Sequence, residues 1–311
     1  MPVKRIGFVD YRLDNYHAEV YLKAFRGALA GRGYEVVGAT ALDAEASRAW
    51  AEERSLPYFE NVESLAPHVD CFIVLAPSDP EHHLPMCQEV FPYGKPTFVD
   101  KTFAPDEATA RAIFALADDH GTAIQTTSAL RTTAVQAFVR DLPSPVQSLV
   151  VFSSGTSFEE YGIHPVELAI SCLGPDAQRV MRMGSARHPQ WLLQFSDDRT
   201  ALIDFNPEVE IPFSAIVSTQ QGHEQIEVDG ATLFLDAAAS ILDFFDAGRP
   251  LIDRRESLMV RKILDVAMSD DAGEAFVELQ ASVEHAVPTP HFAVTAVARE
   301  DHHALTGTAV K

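Results

Sequence analysis

A lysine at the end of a strand-like run and a histidine at the start of a helical one are the residues of this chain best suited to acid–base chemistry. Lys101 closes the apolar run Pro96-Thr-Phe-Val-Asp100. His164 opens an apolar helical stretch, with Glu160 ahead of it and Glu167 three residues beyond. A carbinol carbon gives up hydride readily only when its hydroxyl proton leaves too, and a His or Lys beside that hydroxyl supplies the base. Histidine already titrates near ambient pH, whereas lysine must be pushed down by burial or positive neighbours. Glu167 shares a helix face with His164 and is placed to orient the imidazole. Singly, a strand-end lysine is most often solvated and a helix-start histidine most often a cap or a packed residue. Their joint occurrence gives the functional reading its weight.

These residues need elements to hold them. Val3 to Val9 is rich in β-branched residues, and Tyr16 to Ala30 carries Ala18, Tyr21, Leu22, Phe25 and Leu29 on one helical stripe. Strand-like runs follow at 34–40, 71–76, 96–100 and 122–126, with helical segments at 43–53, 80–91 and 105–120 between them. That alternation implies right-handed crossovers and a parallel sheet, so Lys101 stands at the carboxyl end of a parallel strand, where ligands bind in open α/β sheets. After about Ser128 the rhythm changes. Strand candidates at 148–154, 179–184, 191–195, 200–205 and 212–218 have few helices between them, and helices return at 231–245 and 255–268. The expectation is an α/β protein: a Rossmann-like, doubly wound N-terminal domain over residues 1–127, then an α+β domain over 128–311 with a mainly antiparallel sheet. The chain of 311 residues is long enough for two such cores.

The stretch from Val69 to Arg131 resembles the Gfo/Idh/MocA family of sugar-handling, nicotinamide-dependent oxidoreductases, and the likeness extends over most of the chain. Val69 to Pro77 is similar to that family's fourth-strand segment, with its proline just after the strand. His82 or His83, followed by Gly94-Lys-Pro-Thr-Phe-Val-Asp-Lys-Thr, resembles its GKhVlvEKP passage; Lys101 falls on the lysine, Asp100 on the glutamate and Thr102 on the proline. Glu160-Tyr-Gly-Ile-His-Pro-Val-Glu resembles its D-x-G-x-H-x-x-D helix start, which puts His164 on the catalytic histidine. The resemblance implies Lys101, His164, Glu160 and Glu167 as catalytic residues. It implies Gly7, Asp10, Arg12, Asp43, Pro77 and His83 along an NAD or NADP site, a carbohydrate-like small-molecule substrate, and a homo-oligomer packed through the second domain's open sheet face.

The turn after the first strand departs from that pattern. A dinucleotide loop needs glycine for its tight turn and for close backbone approach to the pyrophosphate. In Gly7-Phe-Val-Asp10-Tyr-Arg12-Leu-Asp14-Asn15-Tyr-His17, Asp10 and Arg12 stand where two of those glycines belong. Two carboxylates beside a diphosphate are unfavourable, and Arg12 is the residue that would offset them. The acidic residue for the adenosine ribose falls at Ala41, with Asp43 two positions on. Two further readings therefore stay open. One is a redox-independent lyase or isomerase in which Asp10, Asp14 and His17 contact substrate hydroxyls or a metal; the other is a non-catalytic ligand-binding protein. Otherwise His17, Trp50 and Phe244–Phe245 read as packing.

Composition narrows the remaining classes. The net charge of −21 repels phosphate backbones, so nucleic acid is not an expected partner. No run reaches the length of a membrane helix and the start carries no leader pattern, so a cytoplasmic protein is expected. Cys71, Cys87 and Cys172 form no Cys-x-x-Cys pair and read as reduced thiols. The His82–His83 and His302–His303 pairs are adjacent and do not share a helix face, so no metal site is expected.

Overall fold

The computed structural model describes residues 3–279; the tail from Val287 and the His302–His303 pair lie outside the described residues. Strands β1 (Lys4–Asp10), β2 (Tyr34–Ala41), β3 (Cys71–Val74), β4 (Thr97–Val99) and β5 (Ile124–Thr126) form a parallel sheet in the order β2-β1-β3-β4-β5. Every residue of β3, β4 and β5 is buried, as their unbroken apolar runs require of strands covered on both faces. Helices α1 (Tyr16–Arg26), α2 (Ala44–Glu53), α3 (Val62–Leu65), α4 (His83–Val90) and α5 (Glu107–Asp119) connect them. Strand order reverses between β1 and β3, which opens a crevice at their carboxyl ends. Asn15 caps α1 by accepting from the Ala18 N–H, and α1 buries His17, Ala18, Tyr21, Leu22 and Phe25. The helix expected from Pro80 begins at His83, because Pro80–His82 forms a single 3₁₀ turn.

Helix α6 (Ala134–Arg140) leads into β6 (Ser148–Ser154), followed by α7 (Phe158–Tyr161) and α8 (Ile163–Leu173). Strands β7 (Ala177–Ser185), β8 (His188–Phe195), β9 (Thr200–Asn206), β10 (Ser214–Thr219) and β11 (Gly222–Glu227) come next. Helices α9 (Leu233–Ala247), α10 (Arg254–Ala267) and α11 (Asp270–Glu274) and the short β12 (Val277–Glu278) complete the described chain. The second sheet runs β11-β10-β6-β9-β8-β7-β12; its pairs are antiparallel except β6–β9. The expected fold class, a parallel Rossmann-like sheet followed by a mainly antiparallel one, is the observed one.

The inner face of the second sheet presents Val151, Trp191, Ile203, Phe205 and Val217 to a core shared with α8 and α10. Phe158 stacks on Trp191 at 3.6 Å between ring centres, and the Trp191 indole donates to the Ala267 carbonyl. The other face carries a cross-strand row, Ile216–Val150–Leu202–Leu192–Met181, all half-buried. Helix α9 follows the second sheet in sequence, yet Ala237, Ala238, Ile241, Leu242, Phe244 and Phe245 pack with Ile6, Tyr21, Phe25 and Tyr34 of the first core. No helix among the described residues is long and apolar enough to cross a membrane.

Candidate functional site

The carboxyl ends of β1 and β4 bring one cluster together. Lys101 follows β4, its ammonium donating to the Pro77 carbonyl at 3.0 Å, which ties the end of one strand to the loop after its neighbour. Asp100, fully buried, accepts the Lys101 backbone N–H through Oδ1 and meets His17 Nδ1 at 2.5 Å through Oδ2. Burial pushes the Asp100 carboxyl up, but His17 and then Lys101 outweigh it and hold the group below its ordinary range. His164 enters from the second half of the chain on the first turn of α8. Its Nδ1 lies 3.2 Å from Ser128 Oγ, and its ring packs between Tyr161 and Phe213. Burial, and after it the positive charge of Lys101 and His17, drives His164 down to about 3 and keeps it neutral. Lys101, Asp100, His17 and His164 therefore lie within electrostatic reach of one another.

Tyr161 and Phe213 also line a cavity of about 890 Å³ on the second-sheet side, together with Asn206, Glu227 and Leu233. A sugar-sized ligand fits that volume. His164 stands against two of its walls.

Several of the expected site residues do other work. Glu167 does not touch His164: its carboxylate takes the Thr127 hydroxyl at 2.6 Å and the Ser128 N–H at 2.8 Å, with Arg131 at 3.8 Å. The 127–131 loop, not the imidazole, lies over the Glu167 carboxylate. Glu167 thus fixes Ser128, and Ser128 meets His164. Glu160 is exposed on the first turn of α7 and accepts from Thr156, so solvent rather than the cluster surrounds it. Gly7 is mid-strand; an added Cβ would come within 2.9 Å of Val69 and 3.1 Å of Leu65. Its lack of a side chain serves packing against the segment before β3, not a phosphate. His83 is sealed, with Nδ1 at 3.0 Å from the Phe103 carbonyl and Nε2 at 2.5 Å from the Leu75 carbonyl. Burial lowers its pKa against the two carbonyls, and the ring bridges the end of β3 and the loop after Lys101. His82 instead faces the first loop, stacked on Tyr11 at 4.3 Å.

The glycine-free loop closes on itself. Asp10, 1% exposed, accepts the Arg12 N–H at 3.2 Å and the Asn15 side-chain amide at 2.8 Å. Burial pushes its carboxyl up to about 7, and the charge of Asp100 adds to the effect. Arg12 is exposed and pairs with Asp14. Asp43 ends the β2 crossover, its N–H on the Tyr11 carbonyl, and its side chain makes no capping bond. Arg12 and Asp43 lie after β1 and β2, while Pro77 and Lys101 follow β3 and β4. The first loop thus offers an exposed guanidinium, and no glycine backbone, where a dinucleotide loop presents its diphosphate-binding turn.

Sequence reasoning brought His17 to the site only in the redox-independent reading, otherwise as packing, and gave Asp100 no role of its own. A histidine on the apolar stripe of α1, in line with Tyr21 and Phe25, was the available signal. Among the described residues no group of His, Cys, Asp and Glu is arranged to hold a metal ion.

Comparison with known proteins agrees with this geometry. Residues 4–128 match the Gfo/Idh/MocA model, described as an oxidoreductase family with an NAD-binding Rossmann fold. No curated protein matches the chain. Among solved structures it is similar to GenD2 from gentamicin A biosynthesis in complex with NAD, at 15% identity and a TM-score of 0.75, covering 90% of this chain and 97% of that one. It is also similar to scyllo-inositol dehydrogenase from Lactobacillus casei with bound NAD(H) and scyllo-inositol, at 14% identity and a TM-score of 0.73, covering 89% and 99%. Myo-inositol 2-dehydrogenase from Lactobacillus plantarum gives 14% identity and a TM-score of 0.73, covering 89% and 100%. At such identities the likeness establishes the fold.

Proposed function

We propose that this protein is an NAD(P)-dependent oxidoreductase acting on a sugar, cyclitol or related polyol. The observation that carries the reading is that Lys101, at the carboxyl edge of a sheet matching an NAD-binding family, lies within electrostatic reach of His164, whose ring packs on two walls of a sugar-sized cavity. Arg12, Asp43 and Pro77 are the residues that would hold the dinucleotide, which supplies the hydride acceptor when bound. Lys101 positions the substrate oxygen with its ammonium, and neutral His164 hydrogen-bonds the same hydroxyl from the opposite side. Ser128, held by Glu167, fixes the His164 ring. Calorimetric titration with NAD and with NADP tests the reading, since neither binding at millimolar concentration removes it. Where one binds, Lys101→Ala is expected to abolish scyllo-inositol oxidation while leaving the fold intact.

The closed Asp10 loop favours a second reading, in which Lys101 and His164 perform an elimination or isomerisation without redox chemistry. Turnover by protein shown to carry no nicotinamide, with none added, would select it. Under either reading we propose a homo-oligomer assembled through the Ile216–Val150–Leu202–Leu192–Met181 row.

A further inference from the structure

The cavity beside His164 has one side chain in its wall whose orientation is settled before any ligand arrives. Asn206, the last residue of β9, is half-buried and lines the cavity. One atom of its amide accepts two backbone N–H groups, those of Glu208 at 3.0 Å and Val209 at 2.9 Å, which identifies that atom as Oδ1. The amide cannot flip without setting its own N–H groups against those donors, so Nδ2 is fixed as the free end. Among the described residues Nδ2 has no partner, and it is not sealed: the buried side-chain nitrogens and oxygens without a partner are Thr132 Oγ1 and Ser144 Oγ. Asn206 therefore brings the cavity an oriented donor with nothing yet to donate to.

The rest of the wall limits what that donor can meet. Tyr161 lies so close to the Gly155 backbone that an added Cβ there would stand 2.4 Å from its Cγ, which holds the ring in place. With Phe213 it gives the cavity aromatic surface of the kind that takes the C–H face of a sugar ring. Glu208, Glu210 and Glu227 also line the space, and among the described residues no lysine, arginine or histidine does. Glu208 is shared with Arg187 at 3.6 Å, whereas the Glu210 and Glu227 side chains have no partner among the described residues. A phosphate or carboxylate there would face like charge with no lining cation to offset it.

We propose that Asn206 is a specificity-determining residue of this cavity, donating through Nδ2 to an oxygen of a cyclic polyol that carries neither phosphate nor carboxylate. This deepens the polyol reading and rests on it for the cavity as the substrate site. Asn206→Asp tests it, because the variant keeps an oxygen for the Glu208 and Val209 N–H groups and puts a second oxygen where the donor was. Saturation-transfer NMR titrations with scyllo-inositol and with glucose, run with and without NAD+, read the effect. The Kd of the variant is expected to rise about 10-fold or more above that of the wild type. Glucuronate and glucose 6-phosphate should bind the wild type about 10-fold more weakly than glucose does. An unchanged Kd overturns the assignment of Asn206, and anionic sugars held as tightly as glucose overturn the substrate class. Wild type that binds neither scyllo-inositol nor glucose overturns both. Failure of NAD and NADP to bind removes the oxidoreductase reading instead, and the polyol titrations still decide this one.

Discussion

Replacing Asp10 with Asn isolates what one buried carboxyl does to the fold as pH changes. The group titrates near about 7 in the folded chain against 3.8 for a free aspartate, chiefly because of burial. The folded state thus holds this proton more tightly than the unfolded state, so its contribution to stability falls as pH rises through that window and levels off above it. At about 1.4 kcal/mol per pH unit, the loss approaches 4 kcal/mol by pH 8. An amide carries its hydrogens at every pH. It also presents a hydrogen on one of its two positions, as the protonated carboxyl does, so the mismatch with Arg12 and Asn15 largely cancels between them. The variant is expected to gain on the wild type from pH 5 to about pH 7 and then level off, the gain over that range being about 2–3 kcal/mol. Urea unfolding of both proteins at four pH values in that range measures the difference, and everything else that titrates drops out of it. A stability difference that stays constant with pH, or a variant less stable at pH 8, would refute the reasoning.

Other outcomes follow from single contacts. Glu167→Ala leaves the buried Ser128 N–H and Thr127 hydroxyl without their carboxylate, while Arg131 keeps Glu256, and should cost about 1–3 kcal/mol in urea unfolding, with Glu167→Gln milder. Gly7→Val forces Val69 and Leu65 aside and should cost about 1–3 kcal/mol. A loss of NAD affinity without a loss of stability would show instead that Gly7 faces the cofactor. Leu202→Glu puts a charge at the centre of the half-buried row, and analytical ultracentrifugation should report dissociation into smaller species.

The N-terminal architecture was legible because its strands are unbroken apolar runs and its helices carry a 3.6-residue stripe, both local properties. Strand β11 was not, since Gly222–Glu227 is exposed and polar and exists through pairing with β10. The same division runs through the site. Lys101 and His164 announce themselves by their places at element ends. His17 looks like core until Asp100, 83 residues later, is seen against it. Gly7 shows the reverse error: a glycine in a strand near a loop suggests a phosphate, but its neighbours Val69 and Leu65 come from elsewhere in the chain.

Helix α9 gives the chain a timetable during synthesis. The strands and helices of the first sheet are complete once Thr126 has been made, yet the apolar surface around Tyr21, Phe25 and Tyr34 is covered only by residues up to Phe245. At cellular elongation rates that interval is on the order of ten seconds, in which a greasy flank waits uncovered on the nascent chain. The first half therefore carries that uncovered surface until the second half arrives. Expressed alone, residues 1–128 should aggregate unless α9 is supplied in trans.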